Sequence, residues 1–113
     1  MKAKILSAIL LVIVMCSTAC AALPSVTMLS TKTCPACKQM AKVLDEINEQ
    51  YKGRISTEHV YLEDKPELAE EYKVRYVPML IFRDANGKER AREVGYRSLD
   101  EVLHIFENAG VRI

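Results

Sequence analysis

Cys34-Pro35-Ala36-Cys37 constrains this chain more than any other stretch. The four residues can be both a redox centre and the first turn of a helix. Two thiols separated by two residues can close into a small disulfide ring and reopen. Ahead of them Ser25 to Leu29 reads as a strand, and behind them Lys38 to Ile47 reads as a helix. A CxxC between a strand and a helix belongs to a redox setting rather than to a zinc knuckle. Such chemistry needs a second element far along the chain, and Val77-Pro78 supplies it.

The cysteine count sharpens this reading. Of four cysteines, Cys16 and Cys20 lie in an N-terminal targeting segment. Lys2 and Lys4 form its positive start, Ile5 to Met15 its apolar run, and Ala19-Cys20-Ala21 its small-residue end, with cleavage expected before Ala22. Residues 1–21 therefore read as a signal peptide or a membrane anchor, and 22–113 as one domain. The apolar stretch to Leu23 is just long enough to span a bilayer. Ser17-Thr18-Ala19-Cys20 is a weak match to a lipidation site. Once residues 1–21 are removed only Cys34 and Cys37 remain, so the protein is not a disulfide-stapled scaffold. A ring this short removes little unfolded-chain entropy, which makes the pair a matter of chemistry rather than stapling.

Length and charge exclude other classes. At 113 residues the chain has room for one domain. Its formal net charge is +1, and taking Lys2 and Lys4 from the 16 basic residues leaves 14 against 15 acidic, or −1. Nothing here argues for nucleic acid or for strong electrostatic steering.

Along the domain, Val26 to Leu29 reads as a buried strand and Ser30 to Thr33 as a polar loop. A helix follows from Cys34 to Tyr51, with Met40, Val43, Leu44 and Ile47 on one face. Ile55 to Leu62 is a second strand. Asp64-Lys65-Pro66-Glu67 predicts a short helix capped by Asp64, with Leu68, Ala69 and Tyr72 inward and an end near Lys73. Met79 to Arg83 and Glu89 to Val94 form a hairpin around Asp84-Ala85-Asn86-Gly87. Ser98-Leu99-Asp100-Glu101 is a capping box opening a last helix. This order predicts an α/β fold: a mixed four-stranded sheet, one pair parallel through a helical crossover, with three helices on its faces.

With Cys34-Pro35-Ala36-Cys37-Lys38 opening a helix, Tyr76-Val77-Pro78-Met79-Leu80-Ile81-Phe82, the Asn86-Gly87-Lys88 turn and Val94-Gly95 in this order, the chain resembles the thioredoxin-like family from Val26 to Ala109. The layout is that of a minimal thioredoxin fold, closer to glutaredoxins. The intervening Pro35-Ala36 also differs from the Gly-Pro of thioredoxins. Where thioredoxins hold a buried Asp under the second cysteine this chain has Met28, and where they hold a Lys it has His59.

The resemblance implies a thiol–disulfide oxidoreductase acting on protein thiol or disulfide substrates, and the targeting segment places those substrates outside the cytoplasm, periplasmic or extracytoplasmic. Cys34 is the nucleophile at a helix N-terminus, where N–H groups and the macrodipole favour an anion. Lys32 and Lys38 add positive charge. Such settings lower a cysteine from about 8.5 into the range of roughly 3.5–7.5. Cys37, one turn on and less exposed, resolves the mixed disulfide. Pro35, Ala36 and Lys38 support the site, Pro35 where a missing N–H costs nothing. Pro78 is expected after a cis bond, placing the Val77 backbone beside Cys34 for strand addition by a substrate. His59 is a candidate proton acceptor for Cys37 in place of the absent acid, against the plainer reading of a solvent-facing strand residue. Met79 and Tyr96 border the site. The aromatic residues Tyr51, Tyr61, Tyr72, Tyr76, Phe82 and Phe106 are expected in the core or half-buried, as is Met40, and His104 on the surface.

No organic cofactor and no metal are called for, since the cysteine pair carries the electrons. The partners expected are protein substrates and a membrane or thiol electron donor or acceptor, with the protein itself a monomer. Three alternatives stand beside this: a binding module with a static disulfide, a metal-binding cysteine pair, and a glutathione-dependent glutaredoxin-like enzyme. Zinc would need four ligands, and only His59 and His104 remain to join the cysteines.

Overall fold

Val26 to Ser30 are buried without a break, which fits a strand with neighbours on both sides and layers on both faces. The computed structural model describes residues 22–113. The reading of residues 1–21 as a leader lies outside them. The elements follow as β1 (Ser25–Ser30), α1 (Pro35–Gln50), β2 (Ser56–Tyr61), α2 (Glu67–Glu71), β3 (Met79–Arg83), β4 (Glu89–Val94) and α3 (Leu99–Asn108). The sheet order is β2-β1-β3-β4. β1 runs parallel to β2, across the connection made by α1, and antiparallel to β3. β3 and β4 pair antiparallel as a hairpin. The expected mixed four-stranded sheet with three helices is therefore the fold.

The two-residue alternation of β1 divides the core. Val26 and Met28 face α1 and α3, packing among Met40, Val43, Leu44, Ile47, Val102 and Phe106. Leu29 points to the other face, where Val60, Met79 and Ile81 meet Leu68 and Tyr72 around α2. Phe82 and Phe106 meet edge to face with centroids 5.1 Å apart, a geometry aromatic quadrupoles favour. In the hairpin, Asp84 Oδ1 accepts the backbone N–H groups of Asn86 at 2.9 Å and Lys88 at 3.0 Å. Gly87 turns the chain at φ 81°, where a side chain would be strained. Ser98 and Glu101 form the reciprocal capping box of α3.

Two local expectations are corrected. α2 has only five residues, its N-cap is Pro66, and no side chain caps it. Asp64 turns away to Lys32 instead, with Nζ to Oδ1 at 3.1 Å. Ser30 is not a loop residue. It closes β1, pairs with Tyr61, and is wholly buried.

Candidate active site

Cys34 is the N-cap of α1 and Pro35 its first helical residue. The cap is extended (φ −91°, ψ 112°), and Cys34 Sγ accepts the backbone N–H of Cys37 at 3.1 Å. A sulfur here does what a Ser or Asp oxygen does at an ordinary N-cap, satisfying one of the helix's free N–H groups. Cys34 and Cys37 are joined as a disulfide with Cα atoms 5.2 Å apart. Cys34 is partly open to solvent, whereas Cys37 is 2% exposed. One sulfur of the pair can thus meet a large partner and the other cannot.

β3 brings the second part of the site. The Val77–Pro78 bond is cis, and the Val77 carbonyl oxygen lies 4.0 Å from Cys34 Sγ. Gly95 N–H donates to the Pro78 carbonyl at 2.8 Å, which draws the end of β4 alongside. Tyr96 follows it and is exposed, and Tyr76 is 72% exposed just before Val77. Tyr76 therefore departs from its expected place in or beside the core. Nothing in the packing shields it, because it stands in the stretch between α2 and β3. Met79 is buried in the α2-side core rather than open at the site.

The charges around the pair differ from expectation. Lys38 is exposed beside Cys37, lining one small cavity with it. Lys32 lines the same cavity, but its ammonium is held by Asp64 and its backbone N–H donates to Glu63 at 2.8 Å. Asp64 is also what holds the Lys32 ammonium protonated above its ordinary range, by hydrogen bond and by charge. Its charge is spoken for by a carboxylate and is not free for Cys34. Met28 lies fully buried in the core, so no acid stands there.

His59 pairs across the sheet with Met28 and lines the Cys37 cavity. Its Nε2 is 2.6 Å from Ser30 Oγ, and its ring lies 4.5 Å from that of Tyr61. His59 is an exposed strand residue, as the plainer reading had it, with its ring partly desolvated where it meets Ser30. That desolvation pushes its pKa below the ordinary 6.5, against the opposing pull of Asp45. Ser30 is the site residue that sequence reasoning missed. The signal was its spacing: it sits two residues beyond Met28 on a strand of alternating faces, and opposite Tyr61 two beyond His59. His104 is exposed on α3, 4.0 Å from Glu107 and away from this cavity's lining. Among the described residues no three His, Cys, Asp or Glu side chains gather as a metal site.

Comparison with known proteins fits this geometry. The family model described as "Thioredoxin-like domain" matches residues 20–110. The chain belongs to the thioredoxin-like family. It is 25% identical over 71 residues to thioredoxin of Rickettsia felis, covering 62% of this chain and 66% of that protein. It is 38% identical over 48 residues to thioredoxin 1 of Nostoc, covering 42% of this chain and 45% of that protein. The matched chain thus spans less than two thirds of these thioredoxins. Among solved structures, a malaria parasite thioredoxin-2, described as a component of the protein secretion machinery, superposes with a TM-score of 0.69. The identity is 24%, over 76% of this chain and 82% of that one, which speaks for the thioredoxin-like fold.

Proposed function

We propose that this thioredoxin-like protein is an exported thiol–disulfide oxidoreductase, exchanging its Cys34–Cys37 pair with protein dithiols and disulfides. The observation that carries the reading is the cap: a partly open sulfur holding the Cys37 N–H at 3.1 Å, with its buried partner one turn on. In the reduced form that N–H and the start of α1 favour a Cys34 thiolate. The thiolate attacks one sulfur of a substrate disulfide, and the other substrate sulfur leaves with the electron pair. Cys37 then attacks Cys34 Sγ, re-forming the ring and releasing the second substrate thiol. The reverse sequence oxidises a substrate dithiol. The Val77 carbonyl beside Cys34 offers an extended substrate a backbone acceptor, and the exposed Tyr76 and Tyr96 offer it apolar contact. Pro35, Ala36 and Lys38 shape the helix start, and the two cysteines serve as the redox group without a cofactor.

Export rests on Lys2, Lys4, the apolar run Ile5 to Met15 and the small-residue end at Ala21. Outside the cytoplasm the pair needs a membrane or thiol partner to reset it. The test is the reduction potential of the Cys34–Cys37 pair, titrated in glutathione or dithiothreitol buffers with Cys16 and Cys20 changed to Ser. A reversible two-electron titration between about −270 and −120 mV is expected, the range of dithiol proteins of this kind. A pair that does not titrate reversibly would leave a static binding module instead.

A further inference from the structure

Cys37 has to lose a proton before it can attack, and its surroundings hold few groups that could take one. It is 2% exposed, and Met28, fully buried on the same face of the sheet, provides no acceptor. The cavity that reaches it, of about 170 Å³, is lined by Thr31, Lys32, Lys38, Ala41, His59 and Tyr61. Two of these are cations, two are hydroxyl groups and one is a methyl. Only the imidazole offers a lone pair that binds a proton near neutral pH.

We infer that His59, held by Ser30, is the proton acceptor of Cys37 in the resolving step. This rests on the thiol-exchange reading above. Ser30 Oγ reaches two partners, the Val60 carbonyl at 3.4 Å and His59 Nε2 at 2.6 Å. With the Ser30 hydroxyl donating to the Val60 carbonyl, Nε2–H donates to Oγ, and each of the two hydrogen bonds has its own proton. Nδ1 then carries the lone pair. The cavity exceeds the roughly 30 Å³ that a water occupies in the liquid, so water can carry the proton between Cys37 and the ring.

The charges facing His59 agree with this role. Lys32 and Lys38 stand across the cavity, Tyr61 packs on the ring, and Asp45 acts on it from α1. Burial outweighs Asp45 and favours the neutral ring, which is the form that accepts a proton. In the step, the Cys37 S–H proton passes to His59 as Cys37 Sγ bonds to Cys34 Sγ. The bond from Cys34 to the substrate sulfur breaks, and its electron pair leaves with that sulfur. The substrate thiolate then takes the proton from the imidazolium. The protein dithiol is oxidised by two electrons and the substrate disulfide reduced by two.

The experiment is stopped-flow mixing of the reduced full chain, in detergent with Cys16→Ser and Cys20→Ser, with the chromogenic disulfide 5,5′-dithiobis(2-nitrobenzoate). Wild type is expected to release the first thiolate by Cys34 attack and the second by Cys37 resolution. His59→Gln leaves the first phase unchanged and slows the second about tenfold or more near pH 7. The defect closes as pH rises toward the thiol's own ionisation, and added imidazole restores part of the rate in His59→Ala. Ser30→Ala leaves an imidazole in place but shifts the pH at which the second phase switches on. A second phase of unchanged rate and pH profile in His59→Gln overturns the assignment. Failure of the chain with His59 intact to release any second thiolate instead overturns the dithiol reading beneath it.

Discussion

The Cys37 backbone N–H donates to Cys34 Sγ across 3.1 Å, so the buried cysteine holds the exposed one through its main chain. The contact survives changes at the Cys37 side chain because the donor is backbone. It predicts an order of reactivity in the reduced protein. Cys34 stands at the helix start and partly open, where a thiolate is favoured, while Cys37 is 2% exposed and out of a reagent's reach. Alkylation with iodoacetamide, followed by peptide mass spectrometry across pH, is expected to modify Cys34 first at every pH below 8. Equal rates at the two positions would contradict the assignment of roles.

A second prediction separates dithiol from monothiol chemistry. Cys37→Ser keeps the N–H at Cys34 Sγ and removes the resolving sulfur. It is expected to accumulate a mixed disulfide with protein substrates, visible as a higher-mass band under non-reducing electrophoresis and lost with reductant. Cys34→Ser is expected to give none, because Cys37 is 2% exposed. Sustained turnover by Cys37→Ser with glutathione would favour the glutaredoxin-like alternative.

Most of the architecture was legible because hydrophobic alternation and turn chemistry are local signals. Asp84 to Gly87 announced the hairpin, Ser98 and Glu101 the last helix, and the CxxC the junction of β1 and α1. Three features were not local. Ser30 reads as the start of a polar loop, and only the pairing of β1 with β2 shows it buried against His59. Asp64 has every mark of a cap until the fold brings Lys32 within 3.1 Å of it. Tyr76 has the composition of a half-buried strand residue, but the chain exposes it beside the cysteines. In each case a partner roughly thirty residues away, or its absence, decided what a short window could not.

His59 also predicts how stability responds to acid. Its folded pKa lies below the ordinary 6.5, because burial disfavours the charged ring. The unfolded chain therefore binds this proton more readily, and stability falls as pH drops through and below 6.5. Urea unfolding at pH 7.5 and pH 5 is expected to show a steeper loss for wild type than for His59→Gln. Identical slopes would mean that the ring is not desolvated in solution.

The last prediction concerns the core that holds α3 against the sheet. Phe106 is wholly buried and meets Phe82 edge to face. It belongs to the same buried core as Val102 and the sheet residues Val26, Met28 and Leu80, so truncation leaves a void among close-packed apolar groups. Phe106→Ala is expected to cost about 3–5 kcal/mol in urea unfolding. Phe106→Leu keeps most of the volume and loses the aromatic pair, with an expected cost nearer 1 kcal/mol. Since domains of this size are stable by only about 5–15 kcal/mol, the alanine variant is expected to be partly unfolded at 37 °C. A cost below about 1 kcal/mol for alanine would mean that α3 docks through other contacts, with the Ser98 capping box and the Gly95–Pro78 bond holding the segment in place.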